Sequence, residues 1–274
     1  MIIKYKIQQE KLFKGTEKEN FKHIIRDAMS SFDSRNYWSP TRRQFYKKLK
    51  QIEKEQKVTH KKALIIILDY LDEILKNSEN AVMRLARKTG KDLKQIRVSV
   101  AGNNYQALVA HALMENVLAG NLPELHIIVK PKQHPIIKKY GIIKVGGETQ
   151  KPDMDILIHS NKPKSPLVIC SCKTSLRERA GQTYRWKLLL YLATANPKHL
   201  QKHPDCPINK LNIKYKKDRK VYVAMITADF YDEANQPQQR GMFKFFDGIF
   251  LSKEKKTAGL DKLSAIIKWL NKIY

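Results

Sequence analysis

The chain has 274 residues, enough to bury a substantial core as one large domain or two small ones, and its 42% hydrophobic content excludes a disordered chain. Lys and Arg number 53 against 26 Asp and Glu, a formal net charge of +27. Self-repulsion on that scale points to a polyanionic partner, nucleic acid ahead of an anionic membrane surface, since no basic amphipathic helix stands apart; a merely Lys-rich solubilising surface is the alternative. Cys170, Cys172 and Cys206 provide neither an even disulfide framework nor the spacing of a zinc site. The N-terminal Met1 to Lys6 lacks the pattern of a signal peptide, and no run approaches the ~18 apolar residues of a membrane span. A reducing cytoplasm is the expected compartment.

The first hundred residues read as mainly helical and strongly basic. Ser39-Pro40-Thr41 predicts a helix start, followed by a segment with Phe45 and Leu49 on an apolar face and Arg42, Arg43 and Lys47 free to meet phosphates. Ala63 to Leu75 predicts a second helix buried through Leu64, Ile67, Leu68, Leu71 and Leu75. The pair is either a helix-turn-helix-like unit or the solvated face of a bundle. A boundary near Gly90 to Gly102 divides a helical region, 1–100, that contacts DNA or dimerises from a second region, 101–274.

Beyond Gly102 the texture changes. Asn103 to Leu118 predicts a helix with Tyr105, Leu108, Val109, Ala112 and Leu113 on its apolar side, ended by Gly120. Short strands follow at 125–129, 142–145 and 155–159, then a turn at 161–165 and a strand at 167–173, so the last two strands form an antiparallel hairpin. Gly181 to Ala195 predicts a helix, Val221 to Thr227 and Gly248 to Leu251 the last strands, and Leu260 to Ile273 a closing amphipathic helix. This order predicts an α/β (α+β) fold with a mixed central sheet flanked by helices, behind a mainly helical N-terminal region.

The chemistry concentrates in Lys151-Pro152-Asp153-Met154-Asp155-Ile156-Leu157-Ile158 and in Leu167-Val168-Ile169-Cys170-Ser171-Cys172-Lys173. An acid enters one strand and the hairpin partner ends in Lys, which can bring carboxylate and ammonium together at the sheet margin. Phosphodiester cleavage needs both groups: carboxylates to hold Mg2+, and a cation to orient the attacking water or stabilise the pentavalent transition state. The bland alternative is a hairpin with a surface ion pair.

These residues resemble the PD-(D/E)xK nuclease superfamily, with Pro152-Asp153 as the PD element and Lys173 as its terminal Lys. Ser171 stands where an acid is usual, and the resemblance is to restriction enzymes with S-x-K that take the missing acid from elsewhere. Lys173-Thr174-Ser175-Leu176-Arg177-Glu178-Arg179 is similar to the K-x-x-x-R-(E/D)-R element of type II restriction enzymes that read CC and GG, which implies base reading by Arg177, Glu178 and Arg179. Arg can bond guanine O6 and N7, and Glu can accept from cytosine N4. The resemblance spans roughly residues 100–251 and is specific over 151–187. It implies a restriction-endonuclease-like core, a cytoplasmic prokaryotic enzyme, double-stranded DNA as substrate, Mg2+ as cofactor, a homodimer on a palindromic site, and a cognate DNA methyltransferase.

Either Asp153 or Asp155 can be the principal metal ligand, and the two can act together. A third acid has no obvious source. The helix after Lys173 has none between Gly181 and Lys187, and the early helix carries Tyr105-Gln106 where relatives have Phe-Glu, leaving Glu115 and Glu148 as candidates. Arg185 and Lys187 are expected on the DNA backbone. Tyr184, Trp186 and Tyr191 read as packing groups, and the scattered His residues, His111 and His159 among them, have no partner at ligand spacing. Two other functions fit the same residues: a structure-specific or repair nuclease, and a non-catalytic basic DNA-binding protein with a degenerate nuclease fold.

Overall fold

A computed structural model describes residues 17–34, 37–88, 92–176, 179–195, 207–229, 233–254 and 259–274. Helices α1 (Glu17–Ser30), α2 (Trp38–Gln56), α3 (His60–Ile66), α4 (Leu71–Arg87) and α5 (Leu93–Leu118) form the N-terminal half, with a 3-10 turn, Ile67–Tyr70, between α3 and α4. Helix α2 begins one residue before the expected Ser39, and Tyr37 occupies its N-cap position without a side-chain bond. Thr41 is instead buried in the first turn, where its hydroxyl meets Ser78 Oγ at 3.1 Å and accepts from Asn104 Nδ2 at 3.0 Å. The apolar positions expected on these helices, Phe45, Leu49, Leu64, Ile67, Leu68, Leu71 and Leu75, are all buried.

The expected division at residue 100 falls inside α5. That helix is capped by Asp92, whose carboxylate accepts from Lys94 N at 2.9 Å, runs through Gly102 and stops just before Gly120, which takes a left-handed φ of 70°. Tyr105, Leu108, Val109, Ala112 and Leu113 are fully buried, and they join α1–α4 and one face of the sheet in a single apolar cluster.

The sheet has the strand order β1 (His126–Val129), β4 (Ile156–His159), β5 (Leu167–Lys173), β6 (Val221–Thr227), β7 (Gly248–Leu251) and β8 (Asp261–Lys262). Strands β1, β4 and β5 pair antiparallel, and β5 through β8 pair parallel. A separate hairpin pairs β2 (Ile143–Val145) with β3 (Glu148–Gln150). Side chains alternate across the main sheet. Ile156, Ile158, Val168, Cys170, Cys172, Ala224 and Ile226 face the cluster holding α5 and the final helix, α10 (Ala265–Ile273). Leu157, Leu167, Ile169, Val223 and Met225 face the other layer, with α6 (Pro135–Tyr140), α7 (Arg179–Thr194) and α9 (Pro237–Phe243). A short α8 (Pro207–Lys210) precedes β6. The mixed sheet between two helical layers is the α/β fold class that the element order implies. Cys170 and Cys172 share one face, buried and free, whereas Cys206 lies outside the described residues.

Leu108 sits in α5 between the N-terminal helices and the sheet, with its side chain fully buried. Leu108→Ala is expected to lower unfolding free energy by about 2–5 kcal/mol, through lost burial and the cavity left behind. Urea unfolding followed by circular dichroism checks this; a loss under half a kcal/mol would mean that α5 does not pack the two parts together.

Candidate active site

Asp155 immediately precedes β4, where ladder pairing with β5 starts. Its N–H donates to Cys170 O at 3.0 Å, and its carbonyl accepts from Lys130 N at 2.8 Å, so the residue is fixed from both sides. The carboxylate replaces the next rung of the ladder: Oδ2 accepts from Cys172 N at 2.8 Å. The same Oδ2 accepts from Lys173 Nζ at 3.2 Å, while Asp153 Oδ2 accepts from it at 2.6 Å. Lys173 is in turn held by its carbonyl, which accepts from Ala228 N at 3.0 Å. The acids and the ammonium expected from the sequence therefore meet at the sheet margin. Asp153, with its side chain 25% exposed, is the open member; Asp155 at 11% and Lys173 at 7% lie beneath it.

Burial raises the Asp155 pKa, and the Lys173 charge and Cys172 N–H only partly oppose it. For Lys173, burial acts downward but the charges and hydrogen bonds of Asp155 and Asp153 outweigh it, so its pKa is raised. The proton of this group stays on the amine.

Gln106 of α5 completes the cluster. Its Nε2 donates to Asp155 Oδ1 at 2.7 Å, leaving its Oε1 buried with no hydrogen-bond partner among the described residues. Two carboxylates and an orphaned amide oxygen form a set of hard oxygen donors, which fits a hard divalent cation such as Mg2+. The set contains two acids. Among the described residues, no group of three or more His, Cys, Asp or Glu side chains converges.

The other expected site residues are distributed elsewhere. Glu115 accepts from Tyr46 Oη at 2.6 Å, nine residues beyond Gln106 and so about 13 Å along the helix, and does not join the cluster. Glu148 lies exposed on β3, opposite Val145, and among the described residues no hydrogen bond or ion pair joins it to Asp153 or Asp155. Ser171 is fully buried, with its Oγ accepting from Thr183 Oγ1 of α7 at 3.0 Å, so it ties the strand to the helix. Lys187, expected on DNA, is instead 3% exposed and donates to Asp247 Oδ2 at 2.5 Å; that partner, 60 residues away in sequence, neutralises it inside the fold. Arg185 and Arg43 are exposed, and Arg42 is exposed but paired with Asp33. Arg177 and Glu178 lie outside the described residues, as does the side chain of Arg179. Trp186 is buried and Tyr184 half-buried, whereas Tyr191 is exposed, with its hydroxyl donating to Phe245 O at 3.2 Å. His111 packs among Phe32, Trp38, Phe45 and Tyr46, and burial lowers its pKa to about 4.

The raised Asp155 pKa has a sign that stability can report. The fold favours the protonated carboxyl, so ionised Asp155 costs stability, and that cost appears as pH rises through its pKa. In metal-free buffer, the difference in unfolding midpoint between Asp155→Asn and the parent is expected to shift in favour of the variant as pH goes from about 3 to about 7. Thermal unfolding across that range checks it; a shift in the parent's favour would show that the Lys173 and Cys172 bonds outweigh burial.

A search of curated proteins finds no match. A family model described as BsaWI restriction endonuclease type 2 matches residues 133–273, which include Asp153, Asp155, Ser171 and Lys173 but not Gln106 or the N-terminal helices. Because this match covers just over half of the chain and contains the acid and lysine cluster, the chain belongs to the BsaWI type 2 restriction endonuclease family.

Proposed function

We propose that the chain is a Mg2+-dependent endodeoxyribonuclease that hydrolyses both strands of duplex DNA at a short, G·C-containing palindromic site. The observation that carries this reading is Lys173 Nζ lying 2.6 Å from Asp153 and 3.2 Å from Asp155 in a member of a type 2 restriction family. Asp153 and Asp155 would hold the cation, with Gln106 Oε1 as a further oxygen donor. When bound, Mg2+ withdraws charge from the scissile phosphate and lowers the pKa of a bound water. Lys173 keeps its proton and therefore acts as a donor and fixed charge rather than as a base. It orients the attacking water and stabilises the phosphoryl oxygens as negative charge builds on them.

Arg177, Glu178 and Arg179 read adjacent G·C pairs in this proposal, and Arg42, Arg43 and Arg185 contribute to the phosphate-binding surface that the +27 charge supplies. Symmetric cutting of two strands needs two active sites, hence a homodimer on its palindrome, and in a prokaryotic cytoplasm a cognate methyltransferase to protect the host site. One observation favours a second reading, a DNA-binding protein without catalysis: the described cluster has two acids, and Ser171 is tied to Thr183 instead of joining it.

Incubation of the purified protein with phage DNA and Mg2+, followed by sequencing of the ends, decides between them. Discrete fragments sharing one motif are expected. Ragged or branch-directed ends would indicate a structure-specific nuclease, and tight magnesium-independent binding without cleavage a passive binder. Lys173→Ala should abolish cutting while leaving duplex affinity nearly unchanged, as checked by gel shift; a parallel loss of affinity would assign Lys173 to binding instead. Sedimentation with the cognate duplex should show two copies per DNA, and one copy would exclude the symmetric dimer.

A further inference from the structure

Leu176, three residues beyond Lys173, is held at three points. Its N–H donates to Glu233 Oε2 at 2.8 Å, its carbonyl accepts from Gln239 Nε2 at 3.3 Å, and its side chain is fully buried in the layer that contains α7. The same Glu233 oxygen accepts from Ser175 Oγ at 3.0 Å. Glu233 and Gln239 are each 4% exposed, in the 3-10 turn Glu233–Asn235 and in α9. Glu233 is itself fixed by Asp229, a buried residue whose carboxylate accepts from Glu233 N at 2.8 Å and Ala234 N at 3.4 Å. Asp229 directly follows Ala228, whose N–H bonds Lys173 O. The chain leaving β6 thus grips the chain leaving β5 from Lys173 to Leu176.

A buried carboxylate is expensive unless charge-assisted bonds offset its desolvation, and apolar side chains could fill the same volume without that cost. Here one carboxylate oxygen accepts from the hydroxyl of Ser175 and the backbone N–H of Leu176, two consecutive residues. The residue that follows them is Arg177. Bidentate contact between Arg and guanine needs two donors within hydrogen-bond reach at once, so the start of the reading segment must be fixed to a fraction of an ångström.

We infer that Glu233 and Gln239 are positioning residues for base recognition, which fix the chain at Leu176 and so set where the Arg177-Glu178-Arg179 segment begins. This rests on the reading that the segment contacts G·C pairs. A displaced reading segment loses cognate contacts selectively, whereas a merely structural loss lowers cleavage of every duplex alike.

The test measures kcat/KM on a duplex carrying the motif found by end sequencing, and on duplexes altered at one G·C pair, for the parent, Arg177→Ala, Glu233→Ala, Glu233→Gln and Gln239→Ala. Glu233→Ala and Gln239→Ala should lower the cognate-to-altered ratio by about tenfold or more, in the direction of Arg177→Ala, because small displacements of positioned groups cost up to ~100-fold. Glu233→Gln keeps an oxygen that can accept both bonds and should recover most of the ratio. If Arg177→Ala lowers the ratio but both clamp variants preserve it, the positioning role is overturned and base reading stands. If Arg177→Ala itself leaves the ratio unchanged, base reading fails and the inference with it. Should Glu233→Ala lose its far-ultraviolet circular dichroism, Gln239→Ala decides by the same ratio.

Discussion

One ammonium shared by two carboxylates, at the point where a sheet stops pairing, is the interaction on which the rest of the site depends. Asp155 Oδ2 completes the β5 ladder through Cys172 N–H and also accepts from Lys173 Nζ, so one oxygen serves both the strand and the chemistry. Moving it would release a buried backbone N–H as well as a buried cation. Burial raises the Asp155 pKa even so, which marks the carboxylate as a cost that the two apolar layers around the sheet must offset. A neutral residue there would suit folding better; an ionised oxygen suits a cation better.

The fold reaches this geometry through strand alternation. Residues 168, 170 and 172 of β5 face the α5 layer, while 167 and 169 face the α7 layer. Beyond the ladder, the two layers each contribute a polar contact near the end of β5: Gln106 from α5 onto Asp155, and Thr183 from α7 onto Ser171. The N-terminal helices belong to this arrangement, since α2 and α4 share one apolar cluster with α5 and the sheet. Their packing therefore bears on how Gln106 is presented.

Much of this was legible because it is local. Leu167 to Lys173, Val221 to Thr227 and Gly248 to Leu251 are apolar runs bounded by turn residues, and the strands occupy those bounds. The proximity of Asp153, Asp155 and Lys173 followed from a hairpin whose turn is written in Asn161 to Ser165. What escaped depends on distant partners. Gln106 carries no charge, and nothing near it in sequence announces a contact with a residue 49 positions on. Lys187 reads as a free cation until Asp247 folds against it. Glu233 meets Leu176 across 57 positions, and its burial arises only when the ends of β5 and β6 lie side by side. The short α6, and the pairing of β1 with β4, likewise follow from tertiary packing more than from periodicity.

The charges also order the events of the proposed reaction. Asp153 and Asp155 against Lys173 leave the cluster at a net charge of −1, which repels a phosphate, although the chain as a whole carries +27. The basic surface can therefore gather DNA through its phosphates while the cluster itself resists close approach of the scissile group. A divalent cation held by the two acids would turn the same cluster to +1, and the local sign would then agree with the surface. Cation and scissile phosphate should consequently each strengthen the other's binding, a coupling that reciprocity requires to be equal in both directions. Lys173 shifts the two affinities rather than the coupling: without that ammonium the acids would hold the cation more tightly, and the scissile phosphate, one contact among many on the basic surface, would be drawn in less.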